Sequence, residues 1–241
     1  MKTGSGPRTT TPPSDRGNVW PSVGAALALA GMAAGCGGHT TDPVPRVVDP
    51  AVETQAMEAT SIHGAVQIIF DWRLQDRDAR FSGQGVARVE GLRARVDLFG
   101  PRGEAYATAV LDDFELRLPP GVTDVPLPPP PLFWSVFGVF RPPPGTERVL
   151  ARPGDGSADL EYAQGRDVWR FHLEAGVLRR AEWTGQHAGR RSVELSLPGE
   201  GGIPGSVTYR DWPAFLELRL SPTEVREVDA FPSEIWTLSR S

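Results

Sequence analysis

Apolar and polar residues alternate along the chain from Ala65 to Leu74. The apolar members of this pattern are Val66, Ile68, Phe70, Trp72 and Leu74. The residues between them include Gln67, Asp71 and Arg73. A period of two is typical of a β-strand that has one face in the core and the other in water. We therefore predict a half-buried strand over this range.

Shorter runs of strand-forming residues follow, and glycine-rich turns separate several of them. The runs cover residues 81–89, 92–99, 104–111, 114–118, 147–151, 158–163, 168–173, 177–183, 191–197, 205–209 and 215–220. Short strands joined by turns predict an antiparallel sheet that bends or closes, and they argue against a fold of alternating strands and helices. The predicted fold class is therefore mainly β with few helices, in one domain over residues 49–241.

One helix is predicted at the start of this domain. Asp49 is a good N-cap, Pro50 suits the first helical position, and mostly good helix formers follow. The predicted helix has about three turns and ends near Ser61.

A proline-rich segment, residues 119–131, interrupts the succession of strands. It holds seven prolines in thirteen residues. Because proline has no N–H to donate to a β-ladder, we predict an extended spacer that passes over the surface or across the mouth of the sheet.

The most apolar segment of the domain, residues 132–140, follows this spacer, and a run of three prolines closes it. It is too short to span a bilayer, and it is too aromatic to lie in water. We expect it to insert as one or two helical turns into the concave side of the sheet, or to be ordinary core.

The first 35 residues are laid out as a secretory signal peptide. Lys2, Arg8 and Arg16 precede an apolar stretch, residues 19–34, that contains no charged residue. The stretch is shorter than the roughly 20 residues that a transmembrane helix needs. Residues 36–48 are then a predicted flexible tether to the folded domain.

Cys36 is the only cysteine of the chain, so no intrachain disulfide can form. The stretch from Met32 to Cys36 resembles the bacterial lipobox, with Ala33 where leucine is common. The resemblance implies that Cys36 becomes the acylated N-terminus and anchors the protein in a membrane through chains such as palmitate. Gly37 after the cysteine implies the outer membrane. The alternative is ordinary signal cleavage with a free or buried thiol.

The charge of the chain excludes some partners. Lys and Arg total 25 against 30 Asp and Glu, for a formal net charge of -5. This acidic balance gives no electrostatic reason to expect a nucleic-acid partner. It also gives no attraction to an anionic bilayer, so the acyl chains would have to provide the anchor.

The sequence lacks the residue patterns of catalysis. Its four histidines do not have the spacing of metal ligands. Gly83 and Gly85 lack the third glycine of a phosphate-binding loop, so we expect a tight strand crossing there. Adjacent Asp112 and Asp113 favour a turn over a catalytic pair. We therefore predict that the protein is not an enzyme and has no cofactor or metal; a hydrolase that uses only carboxylates is the third hypothesis.

Four parts of the domain, in this order, resemble the LolA and LolB family of lipoprotein carriers and receptors. They are the helix that leads into residues 64–74, the strand and turn 93–103, the apolar segment 132–140, and the hairpin 169–183 with Gly176 at its turn. The resemblance extends over residues 49–236. It implies a curved antiparallel sheet that forms an incomplete barrel, a half-barrel closed by short helices, with a cavity that holds acyl chains.

The resemblance also implies which residues would line that cavity. The candidates are Ile68, Phe70, Trp72, Val96, Leu98, Phe133, Trp134, Phe137, Trp169, Phe171 and Trp183. Ordinary core is the alternative role for each of them. Pro101 and Arg102 form the predicted membrane or partner loop, where the LolB receptors carry an exposed apolar residue. Because the tip of this loop is polar here, the sequence favours a lipid-binding relative of the family over a true LolB receptor.

Two functions follow from these observations. The first is a lipoprotein of the outer membrane that faces the periplasm and binds acyl chains or lipoproteins for their localisation in the cell envelope. The second is a lipid-anchored structural or assembly factor that fills its cavity with its own side chains and contacts an envelope protein. A large cavity would favour the first function, because packed interiors leave few voids larger than a water molecule.

Overall fold

The computed structural model describes residues 49–122, 125–186 and 189–238. The predicted signal peptide (1–35), Cys36 and the predicted tether (36–48) lie outside the described residues. They remain predictions, as does the domain boundary at residue 49.

The described chain contains two α-helices, two short 3-10 helices and twelve β-strands. The α-helices are α1 (Pro50–Ala59) and α2 (Pro130–Val136), and the 3-10 helices are Glu200–Gly202 and Ser233–Trp236. The first six strands are β1 (Ala65–Gln75), β2 (Arg80–Glu90), β3 (Arg93–Phe99), β4 (Ala105–Asp112), β5 (Glu115–Arg117) and β6 (Glu147–Gly154). The others are β7 (Ser157–Gln164), β8 (Asp167–Glu174), β9 (Val177–Gly185), β10 (Gly189–Leu195), β11 (Val207–Asp211) and β12 (Leu216–Val228).

Antiparallel ladders join all twelve strands into one sheet, in the order β5-β4-β3-β2-β1-β12-β11-β10-β9-β8-β7-β6. β5 and β6 are the edge strands, and within the described ranges no ladder between them closes the sheet. The predicted fold class is therefore confirmed: the protein is mainly β, with an open antiparallel sheet and few helices.

The last strand is longer than predicted. The sequence pattern ends it at residue 220, but β12 continues to Val228 and pairs with the whole length of β1. Pro222 lies at a shift of register, opposite Phe70, where the ladder is already irregular. Proline is tolerated at such a bulge because no ladder hydrogen bond is lost there. The predicted end at residue 220 was wrong because the ladder with β1 continues beyond this irregularity to Val228.

The alternating pattern of β1 is confirmed. Its five inward side chains, from Val66 to Leu74, are all buried, and Asp71 and Arg73 between them are exposed. Burial of one face of β1 places the core on the concave side of the sheet.

α1 begins where its sequence predicts. The carboxylate of Asp49 accepts a hydrogen bond from the Ala51 N–H at 2.9 Å. At the other end, the Thr60 hydroxyl donates to the carbonyl oxygen of Ala56 at 2.8 Å and accepts from the Phe140 N–H at 2.9 Å. Thr60 thus ties the end of α1 to the segment that follows α2.

The apolar segment after the proline-rich spacer is inserted into the fold, as predicted. α2 packs against β9 and β10, and its buried side chains include Phe133 and Trp134. The Trp134 indole N–H donates to the carbonyl oxygen of Asp113 at 2.6 Å. Phe140 meets Phe171 of β8 edge to face, with ring centroids 4.9 Å apart. We call the buried side chains of Phe133, Trp134 and Phe137 the α2 plug.

The C-terminal residues cover the outer face of β3. The Arg95 guanidinium donates to the Ile235 carbonyl oxygen at 2.7 Å, and Arg93 lies over the ring of buried Trp236 at 4.8 Å. Arg95 also forms an ion pair with Asp97, which is buried on the same face. The pairing satisfies a carboxylate that would otherwise be costly to bury.

Two glycines allow β2 to approach its neighbours closely. A Cβ atom on Gly83 would overlap the carbonyl oxygen of Phe99, and one on Gly85 would overlap the ring of Phe70. The Trp72 indole N–H donates to the carbonyl oxygens of Gln84 (3.1 Å) and Phe99 (3.0 Å) at the same crossing. The predicted tight crossing is confirmed, and its glycines serve packing.

We expect Gly83→Ala to lower the free energy of unfolding by about 1 to 3 kcal/mol, because the added methyl group forces β2 and β3 apart. Urea denaturation measures this change. Ser82→Ala, at the exposed neighbouring position, is the matched control and should change stability by less than about 0.5 kcal/mol. Equal stability of the two variants would contradict the close approach.

Candidate binding cavity

A cavity of about 700 Å³ lies between the concave face of the sheet and the proline-rich spacer. It is at the end of the sheet where β1, β9 and β11 end and β10 and β12 begin. Its lining residues are Leu74, Asp76, Tyr106, Leu116, Leu118, Val125, Pro126, Leu127, Pro128, Pro129, Trp183, Arg191, Tyr209, Asp211, Ala214 and Leu216. The cavity is thus built from both halves of the sheet and from the spacer.

The spacer forms one wall. Residues 125–129 line the cavity, and Pro128 among them is buried. The Leu127 N–H donates to the carbonyl oxygen of Val125 at 2.8 Å, so a donor that has no ladder partner is satisfied locally. Of the two predicted routes, residues 125–129 take the one across the mouth of the sheet. The spacer ends earlier than predicted, because α2 begins at Pro130 and proline is tolerated in the first turn of a helix.

Leucine side chains supply most of the apolar wall. Leu116, Leu118, Leu127 and Leu216 are all half-buried, and Leu74 beside them is fully buried. Half-buried leucines that face a cavity still expose apolar surface to water. A ligand that covers this surface gains the free energy of its removal from water.

A charged pair lies in the opposite wall, where β10 meets β11. Arg191 and Asp211 are directly opposite each other in the ladder, and Arg191 Nε lies 2.6 Å from Asp211 Oδ2. The Tyr209 hydroxyl lies 3.4 Å from the same oxygen. Burial, with the negative charge of Asp211, raises the pKa of Tyr209. Tyr209 therefore remains a neutral hydroxyl at physiological pH.

Trp183 extends this wall, and Trp169 packs behind it in the core. Arg191 lies over the ring of Trp183 at 4.8 Å, and Trp183 stacks on Trp169 with ring centroids 6.2 Å apart. The Trp183 indole nitrogen is buried and has no hydrogen-bond acceptor among the described residues. A buried N–H without an acceptor is costly, so a ligand oxygen that reaches it would be stabilised.

Tyr106 stands at the rim because of a bulge in β4. Leu98 pairs with Ala107 and Phe99 pairs with Ala105, so Tyr106 is left out of the ladder. Its ring lies 4.8 Å from that of Trp72. Burial, and then the charge of Asp76, raises the pKa of Tyr106. The bulge therefore directs the Tyr106 side chain of β4 into the cavity.

The eleven predicted lining residues are divided between the cavity and the core. Trp183 lies in the cavity wall. The other ten are buried, and three of them form the α2 plug. Pro101 and Arg102 are exposed on the turn between β3 and β4, at the same end of the sheet as the cavity. The roles of these residues in binding remain predictions.

Arg191, Asp211, Tyr209 and Tyr106 are wall residues that the sequence reasoning missed. Arg191 and Asp211 are 20 residues apart, and only the register of β10 and β11 brings them together. One available signal was that Arg191 shares the inward face of its strand with buried Val193. Tyr106 gave no such signal, because a bulge cannot be placed from alternation.

The described residues contain no group of three or more metal-ligating side chains that could hold an ion. In the same part of the chain, no helix is long and apolar enough to cross a membrane. That the protein is not an enzyme remains a prediction from the sequence.

Comparison with known proteins identifies the fold. No family model and no curated protein matches the sequence. Among solved structures, a LolA superfamily protein from Nitrosomonas europaea is similar with a TM-score of 0.54 and 12% identity, over 79% of this chain and 98% of that chain. A candidate outer membrane lipoprotein-sorting domain from Vibrio parahaemolyticus has a TM-score of 0.47 and 6% identity, over 77% and 94% of the two chains. The chain described here therefore has the LolA-like fold, an open antiparallel half-barrel with helices against its concave face.

Proposed function

We propose that this protein is a lipoprotein of the bacterial outer membrane that faces the periplasm and binds acyl chains, of lipids or of other lipoproteins, in its half-barrel cavity. The observation that supports the proposal is the cavity itself, with its apolar wall and its few polar groups. Its volume of about 700 Å³ is in the range of small-molecule sites, roughly 300 to 1,000 Å³.

The polar groups suggest how an acyl ligand would be oriented. The leucine wall suits the hydrocarbon chain. Arg191 uses its Nε–H on Asp211 and has four further N–H groups. With the Trp183 indole N–H, these can donate to the carbonyl or carboxylate oxygen at the head of the chain. Such a ligand would satisfy a buried donor and cover apolar surface together.

Two further observations support the placement in the envelope. The first is the lipobox-like stretch that ends at Cys36, whose acylation would anchor the protein stably if more than one chain is attached. The second is the LolA-like fold. In this proposal the protein acts by binding, without a metal or cofactor.

The α2 plug is the observation that favours the assembly-factor alternative. Phe133, Trp134 and Phe137 are buried where α2 packs against β9 and β10, so side chains of the protein itself fill part of the half-barrel. The open space beside the plug is nevertheless far larger than the voids of a packed interior. The two functions differ in whether this space takes up a ligand.

We expect Leu118→Lys to weaken acyl binding about ten- to hundredfold. A lysine would replace a leucine whose burial is worth roughly 1.5 to 3 kcal/mol, and each 1.4 kcal/mol is a factor of ten in affinity. Displacement of a fluorescent fatty acid measures the affinity, and lipid extraction with native mass spectrometry identifies copurified ligand. Changes at buried Trp72 or Phe137 would report on folding instead.

Leu92→Lys is the matched control for this experiment. Leu92 is 49% exposed on the turn between β2 and β3, at the opposite end of the sheet. Its replacement should leave affinity unchanged. A folded parent protein that takes up no lipid would contradict the proposal and favour the assembly factor.

Trp183→Phe separates the polar contact from the apolar one. The phenyl ring keeps an aromatic surface in the wall but removes the indole N–H, whose hydrogen bond to a ligand is worth about 0.5 to 1.5 kcal/mol. We expect fatty acid binding to weaken about two- to tenfold. Binding of diphenylhexatriene, which has no acceptor oxygen, should be much less affected. An equal loss for both probes would argue against a hydrogen bond from Trp183.

The anchor is tested separately from the cavity. We expect Cys36→Ser to abolish incorporation of an alkyne analogue of palmitate in a Gram-negative host and to release the protein from the outer-membrane fraction. Ala33→Leu, which restores the common lipobox residue, should keep both. Labelling that persists in Cys36→Ser would exclude acylation at this cysteine.

A further inference from the structure

The charges in the cavity wall do not balance. The charged side chains among its lining residues are Asp76, Arg191 and Asp211, which are two carboxylates and one guanidinium. Arg191 and Asp211 neutralise each other, because Nε of the first lies 2.6 Å from Oδ2 of the second. The other oxygen of Asp211 accepts from the Ala214 N–H at 3.3 Å. The negative charge that remains in the wall is therefore the carboxylate of Asp76.

One oxygen of Asp76 is available to a ligand. Its Oδ1 accepts hydrogen bonds from the Asp78 N–H at 2.9 Å and the Ala79 N–H at 2.7 Å, in the turn between β1 and β2. Its Oδ2 has no hydrogen-bond donor and no ion-pair partner among the residues that the structure describes. The adjacent Arg77 lies over the ring of Phe215 instead. A half-buried carboxylate without a partner is stabilised by a ligand that supplies a cation.

Aromatic rings stand beside this carboxylate. Tyr106 lines the same cavity, and the charge of Asp76 contributes, after burial, to the raised pKa of its phenol. The Tyr106 ring lies 5.6 Å from the ring of Phe81, and the two residues are 38% and 42% exposed. Part of each ring is therefore accessible to a ligand. A carboxylate beside accessible aromatic rings suits an organic ammonium group, which pairs with the charge and is attracted to the π faces.

Asp76 lies across the sheet from the donors of the opposite wall. Arg191 on β10 is opposite Asp211 on β11, and Asp211 is opposite Leu216 on β12. The register of β1 with β12 places Asp76, the residue after the last pair, next in this row. Three strand spacings, about 14 Å along the sheet, separate the backbones of Asp76 and Arg191. We call the N–H groups of Arg191 and Trp183 the donor pole and the carboxylate of Asp76 the acidic pole.

We propose that the cavity selects acyl lipids that carry a zwitterionic phosphoethanolamine head group. The inference rests on the proposed function and names the ligand class of the same cavity. The ester carbonyl oxygen of the lipid accepts hydrogen bonds at the donor pole, and the primary ammonium group pairs with Oδ2 of Asp76 at the acidic pole. In such a lipid the ammonium lies several bonds beyond the ester carbonyl, so one molecule can reach both poles.

Other acyl ligands match the two poles less well. A fatty acid has only a carboxylate, so it can bind at the donor pole and leaves Asp76 without a partner. A phosphoglycerol head has a negative charge and no cation, so Asp76 repels it. A phosphocholine head supplies a cation, but its quaternary ammonium has no N–H to donate to Oδ2. The arrangement therefore favours a primary ammonium group.

Three lysophospholipids with the same acyl chain test the head group. The full chain is purified from a Gram-negative host in a maltoside detergent, and each lipid displaces a fluorescent fatty acid at one fixed detergent concentration. We expect lysophosphatidylethanolamine to bind about tenfold more tightly than lysophosphatidylglycerol, because a charge-assisted hydrogen bond replaces a repulsion. Lysophosphatidylcholine should lie between them. Monoacylglycerol with the same chain is the uncharged reference.

Asp76→Asn removes the charge and keeps the turn, because the asparagine side-chain oxygen can accept the same two N–H groups. We expect the preference for lysophosphatidylethanolamine over lysophosphatidylglycerol to fall from about tenfold to less than about twofold, with the affinity for monoacylglycerol unchanged. Asp78→Asn is the matched control, since this exposed residue of the same turn lies outside the cavity wall. It loses the same charge and should keep the preference. Tyr106→Leu, a second variant, should reduce the preference about threefold.

The outcomes separate this inference from the proposed function. Equal affinities for the ethanolamine and glycerol lipids in the parent protein, or an equal loss of preference in Asp76→Asn and Asp78→Asn, would overturn the inference. Lysophosphatidylcholine that binds as tightly as lysophosphatidylethanolamine would overturn the assignment of a primary ammonium group. Binding of fatty acid and monoacylglycerol without any preference for a head group would leave the proposed function standing. A folded protein that binds none of the probes would overturn both.

Discussion

The ladder between β1 and β12 is the interaction on which the rest of the structure depends. It pairs every residue from Ala65 to Gln75 with the C-terminal strand. On one side of it the chain runs through β2 to β5 and on the other through β11 to β6, so this ladder joins two meanders into one sheet. Because such long-range pairing has a high cost in loop-closure entropy, its stability comes from the buried face of β1. Trp72, hydrogen-bonded to two neighbouring strands, lies in that face.

The sheet remains open. Its concave face is therefore divided into a part that α2 covers and a part that lines the cavity. Part of the face is covered by α2, whose aromatic side chains form a packed interior. Beyond the plug, residues 125–129 of the proline-rich spacer lie over the face. Proline side chains are rigid, and the segment cannot add a strand to the sheet. The cavity therefore remains open between the concave face of the sheet and a proline-rich spacer that cannot pack tightly against it.

The positions of the charged residues say more about this protein than its net charge does. The formal net charge of -5 describes an acidic chain, yet most arginines on the sheet are neutralised by carboxylates on adjacent strands. Arg191 and Asp211 use the same pairing inside the cavity, where it fixes a guanidinium beside Trp183. In the turns at the cavity end, Arg77 lies over the ring of Phe215. Arg190 lies over the ring of Trp212 and also pairs with Glu182.

The sequence by itself determined the class of fold, because local rules govern its parts: alternation defines β1, Asp49 and Pro50 start α1, and prolines exclude residues 119–131 from the sheet. The resemblance to the LolA and LolB family added the prediction that this sheet forms a half-barrel. The sequence could also propose aromatic residues for the interior, but it could not tell Trp183 in the cavity wall from Trp72 in the core, because both occupy inward positions of a strand. Register, bulges and the path of the spacer decided that difference. These depend on contacts between residues far apart in the chain, such as Arg191 with Asp211, and no local pattern encodes them.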